Sequence, residues 1–99
     1  MPRQITQEAQ AAFRAGISYY KSNTEVRVFG NENDVKMYLF GNEIAKRIGK
    51  HTYITNAGWN TPTTRERLHN IIPGVIVCQR KGQLQLNGEA WDGEWVEVK

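Results

Sequence analysis

At Ser22-Asn23 the apolar spacing of the chain changes from a helical period to a period of two, and glycine- or asparagine-bearing reversals then recur to the C-terminus. That pattern describes one amphipathic helix followed by a run of short strands, and it leaves little room for any other architecture. Over residues 6–21, Ala9, Ala12, Phe13, Gly16, Ile17 and Tyr20 form one stripe. Gln7, Gln10, Arg14 and Lys21 fall outside it and are expected to face water. Thr6 is placed as the N-cap, Glu8 near the positive end of the helix dipole, and Ser22-Asn23 as the stop.

Beyond the switch, Val26 and Val28 alternate with Glu25 and Arg27, as in a half-buried strand. Residues 30–34 are dense in turn formers, and Val35, Met37 and Leu39 then alternate with Lys36, Tyr38 and Phe40. Gly41-Asn42 reads as a tight reversal. Residues 43–48 are ambiguous, because Ile44, Ala45 and Ile48 fit a helical turn as well as a strand. The flanking turns leave too few residues for a stable helix, which favours a strand. With residues 52–55 as the fourth strand, 24–55 becomes an antiparallel meander. Pro62 has no amide to donate, and Thr61-Pro62 starts a second helix, 61–71, with Leu68 and Ile71 inward and Pro73-Gly74 as its end. Strands are expected at 75–80 and 83–86 around Lys81-Gly82, and at 95–98 after the turns Asn87-Gly88 and Asp92-Gly93. The reading is a single small α+β domain over residues 1–99: an N-terminal helix, a four-stranded antiparallel meander, a second helix and a C-terminal β-hairpin with short strands.

Ninety-nine residues, 39% of them apolar, support one modest core and argue against disorder. No apolar run approaches the length of a membrane span, and Met1-Pro2-Arg3-Gln4 precedes a polar helix pattern rather than a signal peptide. The single cysteine, Cys78, excludes an internal disulfide and suits a reducing cytosol. It lies in the apolar run Val75-Ile76-Val77, where a cysteine acts as a small hydrophobe rather than as a nucleophile paired with His51 or His69. Those two histidines and one cysteine make no zinc pattern. Of Asp34, Glu43, Glu66, Glu89, Asp92, Glu94 and Glu97, most lie in turns or alternate with apolar strand residues, and no phosphate-binding glycine loop occurs. An enzyme is therefore not expected, nor a metal or a cofactor. Of Trp59, Trp91 and Trp95, roughly two should be largely buried and the third free to anchor a partner.

Net charge is +3, but it is unevenly spread. Residues 41–80 hold Lys46, Arg47, Lys50, Arg65, Arg67 and Arg80 against Glu43 and Glu66, whereas 81–99 hold four carboxylates against two lysines. An anionic partner would be drawn to the middle of the chain. The candidate surface is Lys46, Arg47 and Lys50 on a hairpin with Arg65 and Arg67 on the second helix. Thr63 and Thr64 lie near free helix amides, and Trp59, Tyr53 or Tyr38 would offer a stacking face. The plainer alternative is ordinary solvated charge on turns and an exposed helix face.

Three stretches together resemble a family of small phage-encoded proteins: Leu39-Phe40-Gly41-Asn42-Glu43-Ile44-Ala45, Ala57-Gly58-Trp59-Asn60-Thr61-Pro62-Thr63-Thr64-Arg65-Glu66-Arg67-Leu68, and Pro73-Gly74-Val75. The tail is similar too, from Lys81-Gly82 through Leu86-Asn87-Gly88 to Trp91-Asp92-Gly93-Glu94-Trp95. The resemblance covers about residues 35–98, leaves out the first helix, and departs at Phe40, where histidine is expected, and at His69-Asn70, where asparagine alone is expected. It implies a phage accessory protein in the cytoplasm of the infected bacterium and brings no catalytic mechanism. Thr63, Thr64, Arg65 and Arg67 exceed what a helix start needs, which makes them the first place to look for function.

Two function classes follow. One is a non-enzymatic protein that docks on a host protein or nucleoprotein complex, in nucleic-acid handling or defence, and modulates or inhibits it. The other is direct DNA or RNA binding through the basic hairpin and the start of the second helix. A homodimer through an edge strand is a further option, since a small meander leaves an edge to cover. On this reading, Arg65→Glu with Arg67→Glu should abolish activity and leave the fold intact.

Overall fold

The computed structural model describes residues 3–30 and 34–99. It is an α+β fold built from a six-stranded antiparallel sheet, a smaller three-stranded sheet and two helices. The turn expected at residues 30–34 falls, at 31–33, outside the described residues, as do Met1 and Pro2.

Helix α1 runs over Gln4–Ala15 and ends at Gly16, whose φ of 72° is left-handed. The expected helix to residue 21 is therefore too long. Gly16 adopts without penalty a conformation that a β-carbon would strain, and the chain leaves the helix there. Residues Tyr19–Lys21 form strand β1, and Ser22-Asn23 is the hairpin to strand β2, Thr24–Phe29, rather than a helix stop. Ile17 and Tyr20 are exposed in consequence, while Ala9 and Phe13 are fully buried as the stripe requires. Thr6 does not cap the helix: Arg3 takes that position without a side-chain bond, and Thr6 is buried inside the first turns. Gln10, expected in water, is also buried. Its amide donates to the carbonyls of Arg67 (3.0 Å) and His69 (2.7 Å), two oxygens that lie at the end of the second helix.

Strand β3, Asp34–Leu39, shows strict alternation, with Val35, Met37 and Leu39 buried. It pairs with β4, Asn42–Ile48, across a two-residue loop. That loop is Phe40-Gly41, one residue before the expected Gly41-Asn42, because Asn42 already pairs with Leu39. Residues 43–48 are strand, and their helix-like spacing has a cause. Register shifts between Met37 and Tyr38, so Ile44 is the extra residue of a bulge, and both Ile44 and Ala45 turn into the core. Strand β5, His51–Ile54, follows.

Thr61 and Pro62 start helix α2, Pro62–Leu68, as read: the Thr61 hydroxyl accepts from the Thr64 amide at 3.2 Å. The helix stops at Leu68, well short of Pro73-Gly74. His69 is extended, and its Nδ1 accepts from the Val77 amide (3.1 Å), which ties the helix end to the next strand. Leu68 and Ile71 are buried as expected. Strands β6 (Val77–Arg80), β7 (Gln83–Leu86) and β8 (Glu89–Ala90) form the small sheet, joined by Lys81-Gly82 and Asn87-Gly88. Strand β6 begins two residues later than Val75. Strand β9, Val96–Val98, does not stay with this sheet but pairs with β5, so the main sheet reads β1-β2-β3-β4-β5-β9.

Helix α1 packs on β1, β2 and β3 and against α2, which in turn contacts β4 and β6. The core between them includes Phe13, Val26, Met37, Ile44, Ile54, Leu68, Ile71 and Trp91. Only Trp91 among the tryptophans is buried, at 8% exposure, with its indole N–H donating to the Glu94 carbonyl (3.0 Å). Trp59 and Trp95 stay 59% and 41% exposed, one more than composition suggests.

Candidate functional site

Arg67 is 1% exposed and belongs to no surface. Its guanidinium donates to the hydroxyls of Thr6 and Thr24 (3.0 Å to the latter), to Asn23 Oδ1 (3.5 Å) and to the Glu66 carboxylate (3.4 Å). Burial pushes its pKa down, and the neighbouring Glu66 charge opposes that. Glu66 also accepts from the Thr6 hydroxyl, the Arg3 amide (3.0 Å) and the Arg3 guanidinium (3.4 Å). This cluster fastens α1 and the β1–β2 hairpin to α2. The expectation that Arg67 contacts a partner is therefore corrected: charge reversal here would break the fold rather than test a surface.

The other predicted cations do not converge. Successive strand residues point to opposite faces. Lys46 pairs in register with Lys36 and Tyr53 and stands over the rings of Trp95 (4.4 Å) and Tyr53 (5.6 Å). Arg47 turns toward α1, donating to the Arg14 carbonyl (2.9 Å) and approaching the Phe13 ring (5.9 Å). Lys50 is exposed after β4. Arg65 is used internally, donating to Asn60 Oδ1 (2.7 Å) and Gln79 Oε1 (3.1 Å), and so pins the loop before α2 to β6. Thr63 is half-buried, and Thr64 is buried with its hydroxyl 3.0 Å from that of Thr61. Cys78 is half-buried, and His51 is bonded to Glu97 (2.7 Å). Among the described residues no group of three His, Cys, Asp or Glu is placed to hold a metal ion.

What the fold does bring together is an apolar cleft of about 410 Å³. Leu39, Phe40, Asn42 and Ile44 from the β3–β4 hairpin line one side, and Asn56, Trp59, Thr61 and Thr64 the other. All of these but Asn56 lie in two of the stretches, 39–45 and 57–68, that carry the phage-protein resemblance. The bulge at Ile44 and the N-cap at Thr61 thus shape one site. Phe40 and Trp59 stand at it 70% and 59% exposed. Phe40 is also held at φ 51°, followed by Gly41 at 79°, the pair of left-handed residues that a type I′ turn demands. Asparagine is usual at the first of these. A phenylalanine there costs about 1–2 kcal/mol and buries little in return. Trp59 belongs to the predicted set. Phe40 stood out in the sequence only as a departure from the histidine that the phage-protein resemblance leads one to expect.

A second hollow, about 370 Å³, is lined by the Asn56–Gly58 loop with Glu43, Asp92, Glu94 and Trp95 among others. Asn56 borders both. It is 6% exposed, its Oδ1 accepts from the Gly58 amide (2.8 Å), and its side-chain NH₂ has no acceptor among the described residues.

No helix among the described residues is long and apolar enough to cross a membrane. No curated protein and no solved structure matches the chain. The family model of the Kyanoviridae Gp96 protein matches residues 2–98, which takes in the first helix as well as the motifs around the cleft, and the chain belongs to that family of cyanophage proteins.

Proposed function

We propose that this protein is a non-enzymatic accessory factor that docks on a host protein in the cytoplasm of the infected cell and modulates or inhibits it, the target being part of a nucleic-acid-handling or defence complex. The observation that carries the reading is Phe40. A strained, exposed aromatic at the tip of a tight hairpin costs stability and buries little in return, which points to use elsewhere. Together with Trp59 it flanks an apolar cleft rimmed by Asn42, Asn56 and Thr61, the composition of a protein-binding hot spot. Its lining is mainly apolar with amide and hydroxyl groups at the rim, a composition that suits binding.

The test compares tagged wild-type protein with Trp59→Ala and Phe40→Asn in nuclease-treated host lysate. One host protein, retained in stoichiometric amount by the wild type and lost from both variants, is the expected result. Equal retention by all three would overturn the cleft as the docking site.

Direct nucleic-acid binding is the second reading, favoured by one feature: Lys46 stands over Trp95 and Tyr53 on the sheet face turned away from the helices. A cation interleaved with two aromatic rings is a means of holding a phosphate beside a stacked base.

A further inference from the structure

We infer that Asn87 is a site of spontaneous modification, deamidating through its peptide bond to Gly88, and that two hydrogen bonds to Ile76 set the rate at which it does so. Of the nine glycines, only Gly88 follows an asparagine. That order matters because the reaction needs the backbone nitrogen of the next residue to reach the asparagine Cγ. A glycine there neither shields its nitrogen nor restricts the backbone. Both residues are exposed, in the two-residue loop between β7 and β8. The Gly88 nitrogen loses its proton to hydroxide and attacks Cγ, so that a C–N bond forms. The Cγ–Nδ2 bond breaks, and the leaving nitrogen takes a proton from water and departs as ammonia. Water then opens the succinimide. Addition at Cγ leaves aspartate, and addition at the main-chain carbonyl leaves isoaspartate, with the backbone lengthened by a methylene. Solvent supplies every reactant beyond the two residues.

The fold opposes the first step. Asn87 has φ 51° and Gly88 86°, the left-handed pair of a type I′ turn. Within that turn Asn87 holds Ile76 at both its polar groups. Its own N–H donates to the Ile76 carbonyl (2.8 Å), and its Oδ1 accepts the Ile76 N–H (2.8 Å). Closing the imide ring swings the side-chain amide onto the Gly88 nitrogen, which takes Oδ1 from Ile76 and draws the backbone out of the turn. Modification therefore waits on local opening of the small sheet at this point. The two products then part. Aspartate keeps an oxygen for the Ile76 N–H and lowers the net charge of +3 by one. Isoaspartate does not fit a two-residue turn, and β8 is held to β7 by two residue pairs, Gln85↔Ala90 and Leu86↔Glu89. Loss of that pairing loosens the chain as far as Trp91, whose amide donates to the Leu84 carbonyl (3.0 Å).

The experiment ages the full chain in mildly alkaline buffer, native and in concentrated urea, and follows each asparagine by peptide mass mapping. In urea Asn87 should be the first asparagine to convert. In the native chain it should convert at least about tenfold more slowly, an effect of the size that two hydrogen bonds supply. Hydrogen exchange should protect the Ile76 amide by a comparable factor, since the same opening releases both. Asn87→Asp should melt with the wild type, while the isoaspartate fraction, separated by chromatography, should melt at a lower temperature. Conversion of another asparagine first in urea would overturn the site. Equal rates in the two solvents, or an Ile76 amide that exchanges freely, would overturn the control by Ile76. An isoaspartate fraction that melts with the wild type would overturn the division between the products.

Discussion

Two arginines two positions apart on α2 have opposite fates, and the contrast explains which single residues matter. Arg65 reaches sideways to Asn60 and Gln79, while Arg67 points inward to Thr6, Thr24 and Glu66. Replacing Arg67 by alanine takes the donor away from two buried hydroxyls, which keep only their bonds to Glu66 and Asn23, and leaves Glu66 without one of its cations. The expected loss is about 3 kcal/mol, below a fully buried pair because Glu66 is partly exposed. Urea denaturation reads it, and a midpoint within error of wild type would refute it. Phe40 has the reverse signature. Phe40→Asn removes left-handed strain and should stabilise by about 1 kcal/mol, raising Tm by roughly 4–8 °C while abolishing docking. A lowered Tm would mean that Phe40 serves the fold. Neither outcome was legible in composition: an arginine looks the same in a sequence whether it faces water or Thr24, and Phe40 stood out only as a departure from an expected histidine.

Among the elements, those whose ends carry local chemistry were readable and those whose ends depend on tertiary partners were not. The start of α2 is written in Thr61-Pro62, and the alternation of β3 in Val35, Met37 and Leu39. The end of α2 is not, because Gln10 from α1 supplies donors to its last carbonyls and His69 bonds Val77. Strand β1 was absorbed into the helix stripe, since Tyr20 keeps the helical spacing by coincidence while Gly16 breaks the helix. The site suffered in the same way: its two walls were each visible as motifs, but the bulge that turns Ile44 inward comes from pairing with β3. The fastening of α1 to α2 through Glu66 makes a pH prediction. Burial pushes the Glu66 carboxyl up, but bonds from the Thr6 hydroxyl and the Arg3 amide, together with the Arg3 charge, outweigh it and leave the pKa below its ordinary value. A lowered folded pKa contributes stability that is fully present above the unfolded value, about 4.3 for a glutamate, and is lost as pH falls through the folded one. Glu97, lowered by His51, and Glu8, lowered by Tyr19, act in the same sense. The contribution of Glu66 is therefore isolated by difference: between pH 6 and pH 2, Glu66→Gln should lose less stability than wild type in urea melts. Parallel curves would show that the cluster does not depend on the charge.

At the scale of the whole molecule, the arrangement of charge is what a test of the two functional readings can use. Arg27, Lys36 and Lys46 stand opposite one another across β2, β3 and β4, a row of like charges that alone would suit a phosphate backbone. The sheet neutralises most of it from within. Glu25 binds Arg27 at 2.7 Å and Glu43 binds Lys36 at 3.6 Å, which leaves Lys46 on its aromatic rings. Arg47 faces α1, Arg65 holds a loop, and Arg67 is buried, so the basic excess of residues 41–80 is divided among separate faces and never sums to a groove. A protein neutralising three phosphates of a single strand would lose affinity with a slope of about −2 in log K against log salt. The expected result with a fluorescent single-stranded oligonucleotide is a slope shallower than −1 and no saturable complex at physiological salt, unchanged by Lys46→Ala. A slope of −2 or steeper that Lys46→Ala reduces by about one-third would transfer the function to the sheet face. The cleft, by contrast, owes its attraction to apolar surface and two exposed rings, and its binding should survive salt that would dissolve a phosphate contact.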